Sequence, residues 1–145
     1  MTLGAARERL LDAATKRFYA DGVHATGIDT ITSEAGVAKK SLYNNFSSEA
    51  EIVSTYIDSR HEEWLDLYRQ HTAQASTARD RVIAVFDAYI DHANDSYGND
   101  FRGCGLLNAA AEFSAGHPAR SSVRAHKEEV ERLLAENLES MTTEA

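Results

Sequence analysis

Lys39-Lys40-Ser41-Leu42-Tyr43-Asn44-Asn45 sets two ammonium groups, a hydroxyl, a phenol and two carboxamides around a single leucine. Ammonium groups pair with phosphate or with guanine edges. Carboxamides bond adenine edges or phosphate, and a phenol packs on a sugar–phosphate backbone or a thymine methyl. The chemistry on offer is recognition of an anionic, hydrogen-bonding polymer. Bond-making chemistry finds no such cluster. There is no Gly-rich phosphate loop, no nucleophile elbow and no pair of cysteine ligands, and Asp100 and Glu112 are single carboxylates without an obvious partner. The expectation is a binding protein, not an enzyme, with no cofactor.

Positioning these side chains requires a short helix held at a fixed angle. Ile28, Ile31 and Ala35 fall at helical spacing, Gly36 breaks the pattern, Val37 supplies an apolar plug, and Leu42 with Phe46 restarts a four-residue period. Two short helices joined by a glycine turn, the second basic at its start, have the form of a helix-turn-helix DNA reader. Upstream, Leu10, Leu11, Ala14 and Phe18 predict a helix over about Ala5–Asp21, with Gly22 fitting its C-terminal cap. Thr26 with Asp29 matches a capping box for the second helix, expected to start near Gly27 or Ile28. The third helix is expected over 38–45.

Downstream, Ser48 with Glu51 is a box opening a long fourth helix that carries Ile52, Val53, Tyr56, Ile57, Trp64, Leu65 and Tyr68. Thr77 with Asp80 opens a fifth. Its Val82, Ile83, Val85, Phe86, Tyr89 and Ile90 are too many for a narrow stripe, which predicts a central, mostly buried helix. A turn is expected over Tyr97–Gly103, then a short sixth helix rich in small residues, and a seventh opened by Pro118. Few segments show two-residue alternation, so the fold class is all-α.

Charge is uneven. The formal net charge is −8, but residues 1–47 hold six Lys and Arg against five Asp and Glu (+1), and residues 48–145 nine against eighteen (−9). The acidity sits away from the candidate DNA-reading helix, where it keeps a polyanion off the wrong face. No apolar run is long enough to cross a bilayer, and no charged-then-apolar leader is seen, so no membrane partner is expected. The single cysteine, Cys104, has no partner for an internal disulfide, which fits a reducing, cytoplasmic setting.

Over residues 7–57 the chain resembles TetR/AcrR-family transcriptional repressors. Phe18, Gly22, Thr26, Ile31, Ala35-Gly36-Val37, Leu42-Tyr43 and Phe46 stand where that family's DNA-binding domain has them. Arg102 to Glu112 also resembles the sixth helix of one branch of the family. The resemblance implies an N-terminal three-helix DNA-binding domain over residues 1–47 and a helical ligand-binding and dimerisation core over 48–145. It implies a homodimer that holds a double-stranded DNA operator and releases it when a small-molecule inducer binds. The side chains expected to contact DNA in such an arrangement are Thr26, Lys39, Lys40, Ser41, Tyr43, Asn44 and Asn45. Three positions depart from the family pattern: Thr32 in place of a small alanine, Lys40 in place of a small residue, and Glu49 where the family usually carries a phosphate-contacting lysine. Family members also usually continue past the seventh helix into dimerisation helices, so a shortened form or a differently built dimer is expected. A helical ligand- or protein-binding module with weak or lost DNA binding is the alternative.

For the ligand, bulky aromatics on core helices (Trp64, Phe86, Tyr89, Phe113) with Asn108 and Glu112 as polar anchors are the candidates. Each aromatic taken singly reads equally well as core. His24, His61, His71, His92, His117 and His126 show no ligand spacing and read as surface or capping residues, so no metal is expected. Cys104 reads as an inert packing residue.

Overall fold

The structure, a computed structural model, describes residues 3–95 and 98–144. The described residues form seven α-helices: α1 Leu3–Asp21, α2 Ile28–Ala35, α3 Lys39–Asn45, α4 Glu49–Thr72, α5 Ala78–Asn94, α6 Gly105–Ala111 and α7 Pro118–Glu144. No strand occurs among them. The all-α expectation holds, and each expected helix is found within a few residues of its expected start. The turn expected over Tyr97–Gly103 lies partly outside the described residues, because Tyr97 is among those left out.

Local chemistry explains where the helices begin and end. The Ser48 hydroxyl accepts the Glu51 N–H at 3.2 Å and opens α4. The Glu51 carboxylate reaches one residue further back than a capping box requires and takes the Ser47 N–H at 2.7 Å and the Ser47 hydroxyl. These bonds hold Glu51 below the usual carboxylate range, the side-chain bond most. Thr77 caps α5 through the Asp80 N–H. The Thr26–Asp29 box is not formed. Gly27 is the N-cap of α2 and makes no side-chain cap bond, while the Thr26 hydroxyl points backward and donates to the Gly22 carbonyl at 2.8 Å. His117 does act as a cap, its Nδ1 accepting the Ala119 N–H at the start of α7.

Two apolar clusters hold the molecule together. The first joins Leu10, Phe18, Ile31, Leu42 and Phe46 of the first three helices to Ile52, Tyr56 and Ile57 of α4, and runs on to Leu106 of α6 and Val123 of α7. The second packs Trp64, Leu65 and Tyr68 of α4 against Val85 and Ala88 of α5 and Val130 of α7. The helix α5 differs from its sequence reading. It turns Ala84, Val85 and Ala88 inward and leaves Ile83, Phe86 and Ile90 exposed, Phe86 at 58%. Small residues let α5 lie close against α4 and α7, and the bulky ones are left on the face away from them.

Candidate functional site

The α2–α3 unit is built from its turn outward. Gly36 sits at φ 63°, in the left-handed region, and its N–H returns to the end of α2. Val37 N–H bonds the Thr32 carbonyl at 3.1 Å. Thr32 itself is buried, its hydroxyl satisfied by the Asp29 carbonyl, so the hydroxyl that departs from the family pattern is accommodated. Leu42 and Phe46 anchor α3 from beneath, fully buried. Arg7 of α1 locks its far end, donating to the Asn45 carbonyl at 2.6 Å while its guanidinium lies 4.3 Å over the Phe46 ring. Arg17 of α1 bonds Glu34 of α2 at 2.9 Å and draws its carboxyl below the ordinary range.

With the apolar side pinned, α3 presents Lys39, Lys40, Tyr43 and Asn44 to solvent. Tyr43 is 50% exposed, a large aromatic on the outer face. Lys39 Nζ lies 3.4 Å from Asp29 of α2, an exposed pair that a phosphate can displace. Ser41 and Asn45 are half-buried, and the Asn45 amide is already spent on the Ser41 carbonyl. Thr26 does not belong on this face. It is 1% exposed, and its hydroxyl is committed to the Gly22 carbonyl. Glu49 opens α4 exposed, where its carboxylate suits the positive end of the helix.

A second feature lies in the helical bundle. A cavity of about 260 Å³ opens between α4, α5, α6 and α7, walled by Trp64 and Tyr89 and reached by Arg60, His92, Cys104 and Lys127. Trp64 and Tyr89, two of the residues expected to bind a ligand, line this cavity. Phe86 is not, since it faces outward from α5. Asn108 is exposed and bonds the Arg102 carbonyl. Phe113 packs on His24 and His117, and Glu112 is used elsewhere, so neither lines this cavity. Cys104 does more than pack, since the Lys127 ammonium donates to its Sγ at 3.3 Å. His61 is buried and stacked between Trp64 and His126, not on the surface. Among the described residues no His, Cys, Asp and Glu group could hold a metal. Nor is any helix there long and apolar enough to cross a membrane.

The helix α6 ties the cavity to the N-terminal helices. At its start, the Tyr19 hydroxyl of α1 donates to the Gly103 carbonyl at 3.0 Å and accepts the Arg102 N–H at 2.7 Å. Past its end, the Glu112 carboxylate accepts the Val23 and His24 N–H groups at 2.7 and 2.8 Å, just after α1. A Cβ added at Gly22, whose φ is 96°, would meet that carboxylate at 3.4 Å. Gly105 lies so close to α4 that a Cβ there would come within 3.0 Å of the Tyr56 hydroxyl. Burial pushes that phenol up to about 12, so it stays protonated. Sequence reasoning gave no sign of Tyr19, Glu112 or Lys127 in these roles.

The family model for bacterial regulatory proteins of the tetR family matches residues 10–55, which contain α2, α3 and the start of α4. A TetR-family transcriptional regulator from Streptomyces coelicolor superposes with a TM-score of 0.86 at 34% identity, covering 94% of this chain and 71% of that one. The chain belongs to the TetR family of transcriptional regulators. Two named relatives match over part of the chain. The transcriptional activator FasR of Mycolicibacterium smegmatis is 34% identical over 93 residues, which are 63% of this chain and 42% of FasR. The transcriptional regulator TtgR of Pseudomonas putida is 36% identical over 76 residues, or 52% of this chain and 34% of TtgR. The chain therefore spans less than half of either TetR-family relative in the matched region.

Proposed function

We propose that this TetR-family chain binds an operator in double-stranded DNA through α3 and that a small molecule in the α4–α7 cavity releases it. The observation that carries the reading is the division of α3. Leu42 and Phe46 are locked inside, while Lys39, Lys40, Tyr43 and Asn44 stand exposed on the face that would enter a major groove. Residues 1–47 serve as the reading domain and 48–145 as the sensing core. In a homodimer, two α3 helices about 34 Å apart match one turn of a near-palindromic site. Release is supported by the bonds that join both ends of α6 to α1 and the residues after it, Tyr19 with Arg102 and Gly103 at one end and Glu112 with Val23 and His24 at the other. A ligand that shifts α6 must move α1 or break them. The action fits a repressor in the cytoplasm. The relative FasR bears the name of an activator, so the sign of regulation is to be read at the promoter itself.

The test is selection of bound genome fragments, then mobility shifts at controlled salt. Sequence-specific affinity that falls steeply with salt supports the reading. Weak binding indifferent to sequence and to changes in α3 overturns it. That result would favour the second reading, a ligand- or protein-binding module. The observation on its side is Glu49, an exposed carboxylate at the start of α4 that repels phosphate.

A further inference from the structure

The cavity carries an unbalanced charge. Arg60 is buried but bonds Glu63 at 2.7 Å, and His92 shares the same carboxylate at 3.2 Å. Lys127 is different. Half-buried on the cavity wall, its ammonium contacts the Tyr89 hydroxyl at 3.3 Å, the Cys104 sulfur at 3.3 Å and the Tyr89 ring at 5.2 Å. No carboxylate lies within ion-pair distance of it among the described residues. A desolvated cation without an anion is costly, and an anion brought beside it recovers that cost. A second observation points the same way. Trp64, 3% exposed and on the same wall, has an indole N–H with no acceptor. Buried tryptophans ordinarily find one.

We propose that this cavity selects a small organic monoanion, a carboxylate carried on a flat apolar body. The carboxylate pairs with Lys127, and the ring lies against Trp64 and Tyr89, themselves 5.1 Å apart between centroids. A volume near 260 Å³ with two aromatic walls suits one or two fused rings. One uncompensated cation, with exposed Asp95 also on the cavity wall, favours a single negative charge over a phosphate ester. This inference rests on the cavity being the ligand site of the function proposed above.

Trp64 is the chain's one tryptophan, so its emission reports the site directly. The full chain, without DNA, is titrated with 2-naphthoate and with 2-naphthamide by calorimetry and by Trp64 quenching. The expected result is naphthoate binding at least about tenfold more tightly. Lys127→Met should bring the two ligands level by weakening naphthoate alone, and Lys127→Arg should restore most of the preference. Equal affinities in the unaltered protein, no binding of either compound, or a preference that survives Lys127→Met would overturn the proposal. A preference lost in Cys104→Ser but kept in Lys127→Met would overturn it too, by making the thiol the recognition group. The regulatory reading fails separately: naphthoate bound with the expected preference while operator affinity stays unchanged leaves the ligand class standing and removes its role in release.

Discussion

The outer face of α3 and the lining of the cavity use similar groups in opposite settings. On α3, Lys39, Lys40 and Tyr43 face water while Leu42 and Phe46 are buried beneath them. In the cavity, Arg60, His61 and Trp64 are buried; Arg60 bonds Glu63, His61 lies 3.5 Å from Glu129, and the Trp64 indole N–H has no acceptor. Water and salt screen the first set, and its Lys39–Asp29 contact adds little to the fold. The second set sits where unpaired charge is expensive. Changes on α3 should therefore alter binding and spare folding. Changes beneath α3 or around the cavity should alter folding and binding together.

The sharpest contrast is between neighbours on α3 and at its end. Phe46→Ala removes a ring that is fully buried and capped by Arg7, and should cost about 3–5 kcal/mol in urea unfolding. An intact unfolding midpoint would mean that α3 is not anchored as described. Lys39→Ala and Tyr43→Ala, on the outer face, should each weaken operator binding by about 1–3 kcal/mol while the thermal midpoint holds. Lys39→Ala should also reduce the salt dependence of binding by about one ion. Loss of folding in either variant would erase the distinction between the two faces.

Between the two regions stands Glu112. Its two oxygens each accept a backbone N–H, and Glu112→Gln replaces one acceptor with a donor facing a donor. The expected cost is about 1–2 kcal/mol in stability. The ratio of operator affinities with and without ligand should also shrink. A full ligand response in this variant would route the coupling elsewhere.

Glu112 also marks the limit of what the residues alone disclose. Ile31, Leu42 and Phe46 were legible because a 3.6-residue repeat states which side of a helix is inside, and Ser48 and Thr77 because a cap acts within one turn. The same local logic misplaced Thr26, whose hydroxyl serves the helix behind it instead of the one ahead. Contacts between Glu112 and Val23, 89 positions apart, leave no local pattern to read. Trp64 and Tyr89 were found as bulky aromatics on core helices. Lys127 was not, because a lysine on a long helix looks like any solvated residue until the packing of α5 and α6 half-buries it.

The cavity side should respond to pH. Burial, and next the neighbouring His126, hold the His61 imidazole below its ordinary 6.5, against weaker upward pulls from Glu129 and Glu62. The unfolded chain then takes a proton at His61 before the folded one does. Stability is complete above about 6.5, is lost as pH falls below that value, and stops falling once pH passes below the folded value. Urea midpoints measured from pH 7.5 to 5 should decline less steeply in His61→Gln than in the unaltered protein. Identical slopes would show that His61 titrates as if exposed.

The smallest expected effect belongs to Phe86. Its place in the apolar row of α5 reads as core, where truncation of a phenylalanine costs several kcal/mol. In the structure it lies on the exposed face of α5 with Ile83 and Ile90. Phe86→Ser should therefore change the urea midpoint by no more than about 0.5 kcal/mol. Val85→Ala, one residue away and buried in the second cluster, should cost more despite removing fewer atoms. Should Phe86→Ser prove the more damaging of the two in dilute solution, that ring is buried there by something other than the described helices. Repeating the measurement over a range of protein concentrations then separates burial by a second copy, which is lost on dilution, from burial within one chain, which is not.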